Sequence, residues 1–190
     1  MPLKINVPFA QKDLAKQYGA LWNNELKTWF VPDDKDLNNF LAWIEHSLIL
    51  KTFGVSIGDH ICFKCKKSIK VIAVYSTNFY LQQSNKRFIK NNSGNLFNYL
   101  TYIDDAILAQ IYGFSSSEQF KLVYSKAFGG NYWANTCIHC GSIAGDHYLH
   151  NEPTGCFHPN TVQNNCISIT GNEFDFCLDG NLARAISFKS

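Results

Sequence analysis

A chain of 190 residues with 46% hydrophobic and 15% aromatic side chains has enough apolar material for a core, in one mid-sized domain or two small ones. A net charge of +2 with only 17% charged residues excludes a nucleic-acid binder that is basic all over, so any basic face has to be local. No run reaches the ~18 uninterrupted apolar residues of a membrane helix, and Met1–Phe9 lacks the apolar stretch of a signal peptide, so the expectation is a cytoplasmic chain with no membrane partner.

Leu3, Ile5 and Val7 alternate with Lys4 and Asn6, which predicts a short strand ended by Pro8. From Gln11 the period becomes helical, with Leu14, Ala15, Tyr18 and Leu21 on one face, Asp13 in the first turn and Gly19 weakening the end. Asn23-Asn24 reads as a turn, followed by a second strand from Leu26 to Val31 that stops at Pro32. If Phe30 of that strand faces the helices, Lys27 and Trp29 face away from them. Asp33, Asp34 and Asp36 precede a second expected helix with Leu37, Phe40, Leu41 and Ile44 on one face. The expected unit over residues 1–50 is β-α-β-α, too small to be more than marginal alone, with a boundary between Lys51 and Gly58.

Residues 55–190 then form a second, mostly β domain, which makes the fold class α+β. Ile69 to Tyr75 is β-branched and strand-like, and Gln82 to Asn95, with Lys86, Arg87 and Lys90, reads as an exposed loop or hairpin tip. Asp104 to Tyr112 is a short helix on its Ile103, Ile107 and Ile111 face. Phe120, Leu122 and Tyr124 alternate as a strand, and Tyr132 to Thr136 leads into a cysteine pair. Ile167–Ile169, Phe174–Leu178 and Ala185–Phe188, separated by Gly-Asn and Asp-Gly turns, predict a small meander.

Two C-x-x-C motifs organise this second part: Cys62-Phe63-Lys64-Cys65 and Cys137-Ile138-His139-Cys140-Gly141. A tight turn at this spacing presents two sulfurs to one metal, and two such turns complete a tetrahedral four-cysteine site. Soft thiolates in a closed tetrahedron select zinc, so one structural Zn²⁺ is expected on Cys62, Cys65, Cys137 and Cys140. A disulfide framework would need an oxidising compartment, and a thioredoxin-type pair would need a helix starting at the motif. The stretch from Lys66 to Thr136 is far longer than a ribbon loop, so the domain is zinc-ribbon-like with a long folded insertion and the metal acts as a clasp. His60 and His139 are expected to support the site from outside the ligand set, and Cys156, Cys166 and Cys177 to be free core thiols.

The N-terminal residues Val7-Pro8-Phe9, Lys12, Ala15-Lys16, Gly19-Ala20-Leu21-Trp22 and Lys27-Thr28-Trp29-Phe30-Val31-Pro32 make up a recognisable pattern. Over residues 3–43 the chain resembles a small bacterial domain of unknown function appended to plasmid and phage proteins, including conjugative primases. The stretch Tyr132-Trp133-Ala134-Asn135, Cys137 to Gly141 and Gly145-Asp146 is similar to sequences that follow that domain. The resemblance implies DNA transactions on mobile elements. The residues permit nucleic-acid contact: Lys12 and Lys16 are one helical turn apart and Lys27 follows on the strand, so three charges converge near Trp22 and Trp29. Single-stranded DNA or RNA suits such a face best. In a unit this small the two tryptophans are equally suited to a core, with the lysines on a solvated face.

Asp146-His147, with His150 nearby, resembles part of a His-Asn-His nuclease, but in that family the pair lies between the two cysteine motifs and here it follows both. Cys156 with His158 has no activating signature, and Gly129-Gly130 is a turn without the Lys-Ser/Thr of a phosphate loop. No acid, base or nucleophile set is complete, which leaves a metal-dependent nuclease as the weakest reading. The leading expectation is a non-catalytic, zinc-containing protein that contacts nucleic acid or a nucleic-acid-processing complex. The alternative is a protein-binding adaptor or inhibitor, for example of a host defence or replication enzyme.

Overall fold

The computed structural model describes residues 1–159, 166–169 and 174–185. The chain opens with β1 (Leu3–Ile5), a 3₁₀ turn and the short helix α1 (Lys12–Gln17). A hairpin follows, β2 (Leu21–Asn23) and β3 (Thr28–Val31), giving a three-stranded antiparallel sheet in the order β1-β3-β2. This departs from the expected β-α-β-α order in two places. Leu21 leaves the helix and becomes the first residue of β2, because Gly19 turns the chain at φ +97°. Of the predicted helical face only Ala15 is buried, while Leu14, Tyr18 and Leu21 are exposed.

The second helix does not form. Leu37–Asn39 makes a single 3₁₀ turn, capped by the Asp36 carboxylate, which accepts from the Asn38 amide at 2.9 Å. The reason is tertiary: Asn38 leaves the helical path to pair with the Phe88 backbone, donating to its carbonyl at 3.2 Å and accepting from its amide at 2.8 Å. Phe40 and Trp43, three apart, both then point into the core. That core joins Leu3, Ile5, Ala15, Ala20, Val31 and Leu37 to Ile49, Phe88 and Cys177 of the larger sheet.

The larger sheet takes the rest of the chain: β4 (Leu48–Leu50), β5 (Phe53–Ile61), β6 (Ser68–Ser76), β7 (Phe79–Gln82), β8 (Phe88–Asn91) and β9 (Asn95–Ile103). After α2 (Asp105–Ile111) come β10 (Phe120–Ser125), β11 (Gly130–Thr136), β12 (Ile143–Ala144), β13 (Cys166–Ile169) and β14 (Phe176–Ala185). Among the described residues the order is β13-β5-β6-β9-β14-β4-β7-β8, with β11 pairing β9, β10 and β12. The expected loop over Gln82–Asn95 is a hairpin tip only between Gln82 and Phe88, because Phe88–Asn91 pairs with β7 as β8 and buries Phe88. The expected strand at Ile69–Tyr75 and the strand from Phe120 are present. So is the helix after Ile103, whose Asp104 caps α2 by accepting from the Ala106 amide. The main core gathers Leu48, Phe53, Val55, Phe79, Phe97, Ile107, Ile111 and Leu178.

The C-terminal meander is corrected. Asp179-Gly180 does not turn but continues β14, which pairs β9 on one side and β4 on the other, while β13 pairs β5. Gly180 is needed for close approach, since a Cβ there would lie 2.6 Å from the Leu100 side chain. The expected strand end at Ser187-Phe188 lies outside the described residues. Three charged groups tie the N-terminal module to the residue before β14: Lys51 Nζ reaches Asp33 at 2.5 Å and Asp175 at 2.6 Å, and also donates to the Met1 carbonyl. No helix among the described residues is long and apolar enough to cross a membrane.

Candidate metal centre and aromatic–lysine pocket

Both cysteine motifs sit in turns between antiparallel strands. In the β5–β6 turn the Cys62 amide donates to the Lys67 carbonyl and the Lys66 amide to the Cys62 carbonyl, each at 2.9 Å, with Lys66 at φ +61°. The β11–β12 turn repeats the pattern: Cys137 donates to Ser142 and Gly141 to Cys137, each at 2.8 Å, with Gly141 at φ +71°. The long stretch between them is spanned by the sheet itself, since β6 pairs β9 and β9 pairs β11. Buried Asn135 adds a direct tie: its side chain accepts from the Ile72 amide and donates to the Ile72 carbonyl, both at 2.8 Å. It extends the β6 ladder where the two turns must meet.

The four sulfurs come together as the spacing requires. All four ligand atoms lie within 4.8 Å of one another, and Cys62–Cys140 and Cys65–Cys137 are each 3.6 Å apart. Four sulfurs at about 2.3 Å from a tetrahedral metal would be separated by about 3.8 Å, so the cluster fits an ion. The electrostatics point the same way. The Ser142 hydroxyl and amide beside Cys140 pull its thiol down to about 6. The Lys67 amide favours the Cys65 thiolate, but burial and the neighbouring sulfurs push that thiol up to about 11. Four thiolates this close cannot all ionise without a cation among them. Around them pack Ile69, Val71, Leu96, Leu149 and Phe157, a small core in which Cys62 and Cys137 are themselves buried. His60 and His139 are not in the sulfur cluster.

Of the nuclease-like stretch, Asp146 and His150 are buried beside one small cavity, while His147 faces away from it. Asp146 is buried and accepts from the Tyr99 amide at 2.7 Å, and burial pushes its carboxyl up to about 7. His150 is buried too, and burial pulls it down to about 4. His147 points outward to Glu152 at 3.2 Å. Cys156 and Cys177 are free thiols that burial pushes up to about 12, and the side chain of Cys166 lies outside the described residues.

In the N-terminal part of the chain, Lys12, Lys16, Trp22, Lys27 and Trp29 line one pocket of about 520 Å³. The register explains the convergence. Ile5 is opposite Trp29 and Trp29 is opposite Trp22, so both indoles lie on the sheet face that α1 covers. The expected facing of β3 is thereby inverted: Trp29 shares the face of Leu3, Ile5 and Val31, whereas Phe30 points the other way, onto Phe174 at 6.1 Å. Buried Val31 decides the matter, because a one-residue shift of β3 would turn it away from Leu3 and Ile5. Lys27 is not in the strand; it holds the β2–β3 turn at φ +50°, after Asn23 Oδ1 accepts from the amides of Glu25 and Leu26.

Within the pocket the cations already rest on rings. Lys16 Nζ is 6.0 Å from the Trp29 ring centre and Lys12 Nζ is 4.1 Å from that of Phe9. Trp22 meets Trp29 at 5.4 Å and 59°, its Nε1–H donates to Asn24 Oδ1 at 3.1 Å, and the residue stays 44% exposed. Phe9, 82% exposed, is a pocket residue that sequence patterning did not single out; a phenylalanine straight after Pro8, in a turn with no core to join, was the available signal.

No solved structure matches this chain. One relative is the DNA primase TraC of Escherichia coli, 42% identical over 41 residues, which is 22% of this chain and 3% of that protein. The matched part is therefore a small piece of a much longer relative. Residues 3–45, the module that builds the aromatic–lysine pocket, match the family described as domain of unknown function DUF5710.

Proposed function

We propose that this chain is a non-catalytic binding protein of a bacterium or mobile element, in which residues 1–50 contact single-stranded nucleic acid. The observation that carries this is the pocket: three lysines and three aromatic rings line it, and among the described residues no carboxylate does. Phosphates would sit on Lys12, Lys16 and Lys27, and an unstacked base would lie on the open face of Trp22. Trp29 has Lys16 on its ring and Trp22 against it, so its part is to hold the platform. The likeness to a segment of a DNA primase supports work on DNA. Cys62, Cys65, Cys137 and Cys140 are proposed to hold one structural zinc, because four soft thiolates in a closed tetrahedron leave no open position for chemistry. The residues 55–190 then make a zinc-ribbon-like domain whose insertion is the sheet from β6 to β11.

The direct test is titration of labelled single- and double-stranded DNA and RNA at low salt. Single strands are expected to bind best, and binding is expected to weaken steeply as salt rises. No binding of any of the four at tens of micromolar would retire the reading.

A further inference from the structure

A second pocket lies beside the cysteine turns and is not explained by nucleic-acid contact. Its volume is about 680 Å³, in the range of cavities that enclose a ligand or a few side chains. It exists because the loop after β12 lies directly on β5. A Cβ on Gly58 would be 2.9 Å from Cys156 Sγ, and one on Gly155 would be 2.4 Å from the Tyr148 carbonyl oxygen. The floor is Tyr132, whose ring packs with Phe128 and Tyr99. Tyr99 has a left-handed backbone, φ +49°, in the middle of β9, and the buried Asp146 carboxylate holds its amide. Strain in a bulky strand residue persists only where its surroundings enforce it.

The mouth of this pocket is apolar and its charge is negative. Phe63, Tyr148 and Ile61 are 65%, 63% and 58% exposed, with no core to join. Asp59 and Glu152 are in the wall, and among the described residues no lysine or arginine lines it. Their partners are exposed side chains, Lys70 at 2.8 Å and His147 at 3.2 Å, which a bound cation replaces at little cost. Lys64, Lys66 and Lys67 belong to the same cysteine turn but lie outside the lining. Among the described residues the lining itself offers a phosphate no lysine or arginine.

We propose that this pocket receives a basic, apolar peptide segment of a partner protein. An aromatic or aliphatic side chain enters between Phe63 and Tyr148, and a neighbouring Lys or Arg meets Asp59 and Glu152. A chain segment fits better than a free small amine because the exposed apolar surface runs past the cavity. Ile138, on the other cysteine turn, is 57% exposed as well.

The test is to pan a library of short random peptides on the whole, metal-loaded protein and to measure the selected peptides by fluorescence anisotropy. Enrichment of one apolar anchor flanked by Lys or Arg is expected, with affinity falling about tenfold or more in Glu152→Lys and in Phe63→Ser. Metal content and far-ultraviolet circular dichroism of both variants, unchanged from the parent, separate a lost contact from a lost fold. Lys16→Ala in the first pocket, whose lining shares no residue with this one, should leave peptide affinity unchanged. No enrichment, enrichment of acidic peptides, or selected peptides indifferent to both variants would overturn the proposal. So would phenethylamine, the free small amine, binding as tightly as the selected peptides.

Discussion

The pocket under Trp22 and the pocket beside the cysteine turns are both walled by aromatic rings, yet they sort charge in opposite directions. Lys12, Lys16 and Lys27 line the first without a carboxylate, and Asp59 and Glu152 line the second without a lysine or arginine, among the described residues. A net charge of +2 conceals this separation. The supports differ too. The first pocket stands on a three-stranded sheet and a six-residue helix. The second stands on the cysteine turns and a loop fitted over β5.

Metal removal should break that comparison most sharply. Chelation, or Cys137→Ser, takes away the clasp under the second pocket and should release several kcal/mol of its stability, since apparent zinc affinities in small domains run to about 10 kcal/mol or more. The N-terminal core shares no residue with the cluster around the sulfurs, so residues 3–43 should stay protected. Hydrogen exchange by peptide would show it; equal loss of protection in both parts would mean a single cooperative unit with no boundary near Lys51. Elemental analysis of unchelated protein should find one zinc per chain.

The next largest effect concerns two titratable groups, Asp146 and His150, buried beside one small cavity. Asp146 has its carboxyl raised to about 7, so its contribution to stability is present below the ordinary carboxylate range and lost as pH rises through 7. His150 is lowered to about 4, so its contribution is present above 6.5 and lost as pH falls towards 4. Between these limits the two slopes oppose, each amounting to roughly 3 kcal/mol at most. Wild-type stability should therefore change little from pH 4 to 6.5 on their account. Asp146→Asn should make it rise with pH and His150→Gln should make it fall, in urea melts across that window.

Smaller effects belong to the first pocket. Trp22→Ala should cost single-strand binding about 1–3 kcal/mol, the worth of one stacked base. Trp29→Ala should lose a similar amount of binding and also lower the melting temperature, because Trp29 packs against the module core. The pair Lys16→Ala with Lys27→Ala should weaken binding and lower the salt slope by roughly one to two units. Glu152→Lys should leave all of these nucleic-acid measurements unchanged.

The cysteine cluster was legible because C-x-x-C encodes a local turn, and each turn closes with the same two backbone bonds wherever it stands in the chain. The aromatic–lysine pocket was half legible. Lys12 and Lys16 share a face by helical period alone, but the expected direction of Trp29 depended on which side of β3 was the core. Leu37, Phe40 and Ile44 have a helical period, yet Asn38 pairs with a strand fifty residues away and the helix gives way. The pocket beside the turns left no sequence signal, because Gly58, Tyr99, Asp146 and Gly155 come from three separate segments.

By itself the sequence determined whatever is set by neighbours within one turn or one strand: the two cysteine turns, the Asp104-capped helix, the β-branched run of β6 and the lysine spacing of α1. Only the tertiary structure decided which turns meet, which face of β3 is dry, and that Asp179-Gly180 lies inside a strand, at an irregularity in its pairing with β9. The reason is physical. Local preferences are worth a few tenths of a kcal/mol per residue, and burying Phe40, Trp43 or Leu178 in a shared core outweighs them several-fold.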